Sequence, residues 1–215
     1  YNALTANTTG EWNVAIGRQA METSTTIAET VAVGSKALRL NEGAGNTAIG
    51  HATLENNSTG TGNVAVGSGA LNDNTTGVSN IAIGKDALDI NTTGSNNVAL
   101  GINALGRNID TDGNTAVGTS ALGVNVAANN AAFGKDALGG NTTGTGNTGL
   151  GSTGVLDANT TGNYNTAVGH NALSANVDTH NNTAVGTEAL NANIAAANTA
   201  VGFRALKANT TGTRN

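Results

Sequence analysis

One short block recurs along the whole chain: N-T/V-A-V/I-G, two free residues, Ala-Leu, two more free residues, then N-T-T-G. The glycine closing its first part stands at Gly17, Gly34, Gly50, Gly67, Gly84, Gly101, Gly118, Gly134, Gly151, Gly169, Gly186 and Gly202, with gaps of 16, 17 or 18 residues. About twelve copies therefore fill all 215 positions. A period this short makes each copy one rung of a stack, because a single rung cannot bury an apolar face and its neighbours must supply the cover. The function expected of such a chain lies in length and surface rather than in a pocket.

The repeat sets how composition is read. Aromatic residues at 2% and 31 glycines are too lean for a large globular core. Disorder is the first alternative, but disordered chains combine low hydrophobicity with high net charge and much Pro. Here the net charge is -5, Pro is absent, and the apolar residues hold fixed places. An ordered single repeat domain over 1–215 is the expectation. The mild acidity argues against nucleic acid, since no basic stripe is present to replace phosphate counterions. The lack of Cys removes disulfides, thiolate metal sites and Cys nucleophiles. No apolar run approaches the ~20 residues that span a bilayer, so no membrane insertion is expected of this segment. Tyr1-Asn2-Ala3-Leu4 and Thr211-Gly212-Thr213-Arg214-Asn215 both break off inside a repeat, which reads as an internal fragment of a longer fibrous protein.

Each place in the block has a physical reading. Two before the glycine is Ala in all but one copy, as at Ala48, Ala65 and Ala82, with Gly149 the exception. One before it is always apolar, as at Val66 and Ile83. A strand turns successive side chains to opposite faces, so both faces of this one are restricted and both are expected to be covered. The Leu series, including Leu71 and Leu88, has no 3.6-residue continuation, which argues against helix. Glycine and a polar stretch then punctuate each rung like solenoid corners. Asn46, Asn63, Asn80, Asn97 and Asn114 precede the strand and form an expected ladder, as do Asn74, Asn91, Asn108, Asn125 and Asn141 opening the polar stretch. Stacked amides can satisfy one another and the corner backbone, so structure outweighs ligand binding for these residues. Charges fall at the free positions, among them Lys85, Asp86, Arg39, Glu55 and Asp89, and are expected to face solvent.

With those residues in view, Asn13-Val14-Ala15-Ile16-Gly17 resembles the head repeats of YadA-like trimeric autotransporter adhesins. The longer form over Asn63 to Gly77 is similar to repeats of bacteriophage tail fibres, of the kind preceding a C-terminal intramolecular chaperone domain. The resemblance implies a parallel β-roll, three chains around a common axis, and an extracellular setting on a virion tail fibre or a bacterial surface. The regular Ala-Leu plus N-T-T-G segment departs from the adhesin heads, and no chaperone residues are present to be carried over.

Asn108-Ile109-Asp110-Thr111-Asp112-Gly113 mimics the start of a calcium loop, but Thr119 stands where a bidentate Glu is needed. His51 and His170 share one register position seven copies apart, about 34 Å at ~4.8 Å per strand, too far for one metal, although one His from each of three chains around an axis could form a site. His180 falls in a polar corner and is most simply solvated. Trp12, Tyr164 and Phe203 are the candidates for glycan contact, as amphipathic surface groups. Scattered acids give no recurrent carboxylate pair and no nucleophile beside a His, so no catalysis and no cofactor are expected.

The sequence therefore predicts an all-β parallel β-roll or β-solenoid of about twelve 16–18-residue coils, a rod on the order of 58 Å long. It is expected to associate as a homotrimer, with the Ala before Val/Ile or the Ala before Leu nearest the axis. The expected function is a structural and adhesive fibre segment, a tail fibre shaft or adhesin head, that sets length and rigidity and presents corners to a host cell-surface glycan or protein. A polysaccharide-degrading β-solenoid and an ice-binding solenoid are the alternatives. The Thr pair that ice binding would need is interrupted at Asn108-Ile109-Asp110, Asn125-Val126-Ala127 and Asn193-Ile194-Ala195.

Overall fold

Three-residue strands and tight corners account for the chain, seen in a computed structural model that describes residues 2–215. It divides into two compact units, 1–112 and 113–215. The first carries β1 (Val14–Ile16), β2 (Val31–Val33), β3 (Thr47–Ile49), β4 (Val64–Val66), β5 (Ile81–Ile83) and β6 (Val98–Leu100). The second carries β7 (Thr115–Val117), β8 (Ala131–Phe133), β9 (Thr148–Leu150), β10 (Thr166–Val168), β11 (Thr183–Val185) and β12 (Thr199–Val201). No helix occurs among the described residues.

Within each unit the strands lie in sequence order, all parallel, one repeat apart in register. Val64 faces Ile81, Ala65 faces Ala82 and Val66 faces Ile83. Parallel neighbours require the chain to travel right round before pairing again. Each repeat is thus one coil, and each unit is a parallel β-solenoid.

The middle residue of each strand points inward. Ala32, Ala48, Ala65, Ala82 and Ala99 have no exposed surface, nor do the Ala-Leu pairs such as Ala70-Leu71 and Ala87-Leu88. Only a small side chain fits opposite the Leu in so thin a coil. The one exception shows why: at Gly149 an added Cβ would lie 3.3 Å from Leu138 and 3.7 Å from Val155. Val155 replaces the usual Ala before Leu, so a methyl lost on the strand is offset by bulk gained across the core.

The expectation that one of these Ala series lines a trimer axis is therefore corrected. Ala65 and Ala70 are wholly enclosed by their own chain and have no surface to offer another. The outward face belongs instead to the first and third strand positions. There Ile49, Ile83 and Leu100 keep 37–41% of their surface exposed, so in the single chain this face is not covered.

Two close approaches fix the glycines. Gly67 has φ +131, a conformation essentially closed to side chains, and a Cβ on it would stand 2.6 Å from the Gly84 carbonyl oxygen of the next rung. Gly77, in the N-T-T-G stretch, has no such φ, but a Cβ there would meet both the Gly94 oxygen and Asn74 Oδ1 at 2.4 Å.

The Leu column is less expected. Leu38, Leu54, Leu71, Leu88, Leu105, Leu122, Leu138, Leu156, Leu173, Leu190 and Leu206 all lie at φ between 48 and 53, with Met21 at 50. A left-handed L-residue costs ~1–2 kcal/mol. Burying the Leu side chain returns ~1.5–3 kcal/mol, and the Leu N–H bonds the next rung, as in Leu71 N–H to the Ala87 carbonyl at 2.9 Å. Burial wins over strain.

Candidate functional site

Three surfaces arise from this coil: the polar interior of one corner, the outward face of the sheet, and the column of residues just before the strand-leading Asn. The first is structural. Asn63, Asn80 and Asn97 are completely buried, and each side chain ties two rungs together. Asn80 Nδ2 donates to the Gly94 carbonyl at 2.8 Å, while its Oδ1 accepts the Asn97 backbone N–H at 3.0 Å. Asn46 Oδ1 accepts from Asn63 N–H at 2.9 Å, and in the second unit Asn114 Oδ1 accepts from Asn130 N–H at 2.9 Å. A second ladder runs beside it. Asn74 donates to Asn57 Oδ1 at 2.7 Å, Asn91 to Asn74 at 2.9 Å and Asn108 to Asn91 at 2.9 Å. Asn141 and Asn159 continue the pattern in the second unit. Among the described residues no buried side-chain polar atom lacks a partner, as a core this polar requires.

One rung changes all its corner residues together. Ser24 and Thr30 stand in the two Asn places, and Ile27, largely buried, replaces the glycine between them. Ser24 Oγ donates to the Asn41 carbonyl at 2.7 Å, which keeps the rung bonded while Ile27 fills the space left by two shorter side chains.

The second surface is the sheet's outer face. Its third-position column reads Ile16, Val33, Ile49, Val66, Ile83, Leu100 in the first unit and Val117, Phe133, Leu150, Val168, Val185, Val201 in the second. The first position mixes Val and Ile with Thr, the latter at Thr47, Thr115, Thr148, Thr166, Thr183 and Thr199. Contiguous half-exposed apolar columns of this kind mark interaction surfaces.

The third surface holds Trp12 and Tyr164. Both are well exposed, and both occupy the left-handed position before the ladder Asn, at φ 56 and 55. In other rungs that place is taken by Glu29, Gly45, Gly62, Ser79, Asn96, Gly113, Asn129, Gly146, Asn181 or Ala197, all at positive φ, so the left-handed backbone belongs to the repeat and bulk is tolerated there. Phe203 does not join them. It lies just after a strand, with the Arg204 guanidinium 4.8 Å from its ring centroid.

Charged groups depart from the expectation in one respect. Glu55, expected in solvent, is largely buried, because Arg39 Nε at 2.8 Å and Lys36 Nζ at 3.4 Å close over its carboxylate. Glu188 is held similarly by Lys207 and Arg204, each at 2.6 Å, and these hydrogen bonds keep its carboxyl below the usual range. Asp89 goes the other way. Partial burial, then the nearby charges of Asp86 and Asp73, push its carboxyl up. His180 is exposed, but its Nδ1 accepts the Asn163 backbone N–H at 2.9 Å, so it caps the neighbouring rung rather than standing free in water. His51 and His170 are exposed side chains in separate units. In the calcium-like stretch, Asn108 is spent on the ladder and Asp112 Oδ1 accepts Ser95 N–H at 2.7 Å. Among the described residues no group of three or more His, Asp or Glu is placed to hold a metal ion.

Sequence reasoning missed the Glu55 and Glu188 ion pairs, which form between register positions one rung apart and show only when the repeats are aligned as a stack. The class defined by fold and surfaces is a parallel β-solenoid with an Asn-laddered interior and an apolar outer sheet face. No protein-family model matches the chain, and neither a curated protein nor a solved structure matches it.

Proposed function

We propose that this chain is a non-enzymatic segment of an extracellular surface fibre, a phage tail fibre shaft or a bacterial adhesin head, built as a homotrimer. Its task is to hold a fixed length stiffly and to carry variable corner residues to a host surface. The observation that carries this reading is the constancy of the interior beside the variability of the corners. Ala, Leu and two Asn recur rung after rung with their hydrogen bonds intact. The corner ahead of the strand, meanwhile, accepts Trp, Glu, Gly, Ser, Asn, Tyr or Ala. A solenoid of identical rungs gains stability through nearest-neighbour interfaces and can be lengthened without redesign. The half-exposed Val/Ile/Leu column supports the trimer, because closed symmetry covers the same stripe on every copy at once.

The rival enzymatic reading is a polysaccharide depolymerase, and incubation with bacterial surface polysaccharides separates the two. Unchanged polymer size after prolonged incubation, with polymer retained on the immobilised chain, is the expected result. A progressive fall in polymer size would replace this reading with the enzymatic one.

A further inference from the structure

We propose that Asn181 is the acceptor for an N-linked sugar and that the fold closes every other Asn-x-Ser/Thr triplet of the chain to that modification, independently of the fibre reading above. Nine such triplets occur, six of them as Asn-Thr-Thr at the corner of the repeat. A triplet of this kind is an acceptor where it lies open on the surface. Attachment forms a bond from the Asn Nδ2 to C1 of the sugar. It breaks the C1–phosphate bond of a nucleotide-activated hexose and releases the nucleoside diphosphate. One Nδ2 hydrogen leaves as a proton, so the amide must have a hydrogen to give and room beside it for a hexose.

The corner triplets offer neither. In Asn74-Thr75-Thr76 the fold divides the three residues: Thr76 is exposed, but Asn74 is fully buried. Its two Nδ2 hydrogens are spent on Asn57 Oδ1 at 2.7 Å and on the Gly77 carbonyl at 3.0 Å. Asn57, Asn91, Asn141 and Asn159 are buried and doubly bonded in the same way. The remaining triplets are half-buried and equally engaged. Asn56 gives its hydrogens to Asn72 and Asp73, and Asn209 to Asn193 and Gly212. Asn7 is closed on Gly10, donating to its carbonyl and accepting its N–H, each at 3.0 Å. A sugar on a buried ladder Asn would break two hydrogen bonds and leave their acceptors unsatisfied.

Asn181-Asn182-Thr183 is built otherwise. The triplet runs into β11, so Asn182 takes the ladder place and is fully buried, while the residues on either side of it turn outward. Asn181 is exposed, and its backbone is held by an N–H bond to the Asn163 carbonyl at 3.0 Å. Thr183 is half-exposed at the first position of the strand. Among the described residues neither the Asn181 amide nor the Thr183 hydroxyl has a hydrogen-bond partner. The combination arises once. The other Asn pairs that lead into a strand, Asn96-Asn97 and Asn129-Asn130, are followed by Val98 and Ala131, which carry no hydroxyl.

Incubation with UDP-glucose and a soluble N-glycosyltransferase that reads Asn-x-Ser/Thr, followed by peptide mass spectrometry, tests this. Thr183 stands in the outer column that association of copies would cover. The reaction is therefore run on the unmodified chain and on one carrying Ile83→Asp, Leu100→Asp and Leu150→Asp. One hexose per folded chain, on Asn181, is expected in at least one of the two. Synthetic peptides spanning Asn74 or Asn91 should accept hexose, because nothing seals them. Asn181→Gly and Thr183→Val should each abolish addition to the folded chain, and Thr183→Ser should retain it. Gly62 at φ 66 and Val64 already hold those two places in another rung, so both variants are expected to keep their thermal melt. Absence of hexose from both folded chains, or hexose on any other triplet of a chain with unchanged β-type circular dichroism, would overturn the proposal. Addition to the unmodified chain together with a single-chain mass would leave Asn181 standing and remove the trimer from the fibre reading.

Discussion

Leucine in the left-handed region gives the sharpest statement of how this chain balances its residues. Leu88 must bury its side chain and hold φ 51 at once. Gly or Asn would suit the backbone and leave the interior empty, while a β-branched residue would fill the interior and fight the backbone. Met21, at φ 50 and fully buried, shows the substitute the position accepts. Leu88→Met should therefore cost less than about 1.5 kcal/mol in denaturant unfolding. Leu88→Ile, of equal volume, should cost distinctly more, and Leu88→Ala about 2–5 kcal/mol. Equal losses for the Met and Ile variants would show that φ plays no part. The Leu period was plain in the sequence, but its left-handed backbone was not, because Leu is nowhere a marker of positive φ. The corner before the ladder Asn was more legible, since Gly and Asn recur there.

Asp89 supplies the charge counterpart. Its folded-state pKa is raised above the ordinary value by partial burial and by the charges of Asp86 and Asp73. The sign follows from linkage: a raised carboxyl favours folding in its protonated form. Its contribution is fully present below the unfolded value of 3.8 and is lost as pH rises through the folded value. Asp89→Asn should flatten the stability profile of the first unit in that window and stabilise it near neutrality. Glu188 has the opposite slope, being lowered by Lys207 and Arg204, so its contribution is lost as pH falls. A profile of Asp89→Asn superimposable on that of the unmodified chain, measured by urea unfolding from pH 4 to 7, would remove this assignment.

The element that matters most is the Asn ladder rather than the strand. Three residues per rung pair with each neighbour, too few to define a coil by themselves. What fixes the coil is that the strand-leading amide spends both ends on the next rung, Asn80 Nδ2 on the Gly94 carbonyl and its Oδ1 on the Asn97 N–H, while the second ladder also holds its own corner, as Asn91 does at the Gly94 carbonyl. An acid cannot do this. Asn80→Asp would set a carboxylate oxygen against the Gly94 carbonyl, where Nδ2 now donates at 2.8 Å, and leave a buried charge without a partner. The expected loss is about 3 kcal/mol or more near neutral pH. Protonation restores a donor, so the deficit should shrink as pH falls through the raised pKa of the new carboxyl, as equilibrium unfolding at pH 7 and pH 4 would report. A deficit unchanged between the two pH values would contradict the ladder's role. Asn periodicity made the ladder readable from sequence. Its complete burial was not, because the pattern implies stacked amides bonded to one another and to backbone without saying on which side of the corner they lie. The direction of the strand was harder. T-A-V restricts both faces almost alike, and only the thinness of the coil shows that Ala, not Val, must point in.

For the whole molecule, that inversion decides which face can meet another copy. Ala65 is enclosed, so Ala65→Arg would wreck its own rung whatever the assembly. Ile83 and Leu100, on the outer face, are free to associate. Ile83→Asp with Leu100→Asp should leave β-type circular dichroism intact and dissociate the assembly. The fibre account depends on that association, and the mass in solution tests it most directly. Multi-angle light scattering at micromolar concentration should give about 63 kDa, three times the chain mass of 21.0 kDa, and a mass of 21.0 kDa would contradict it.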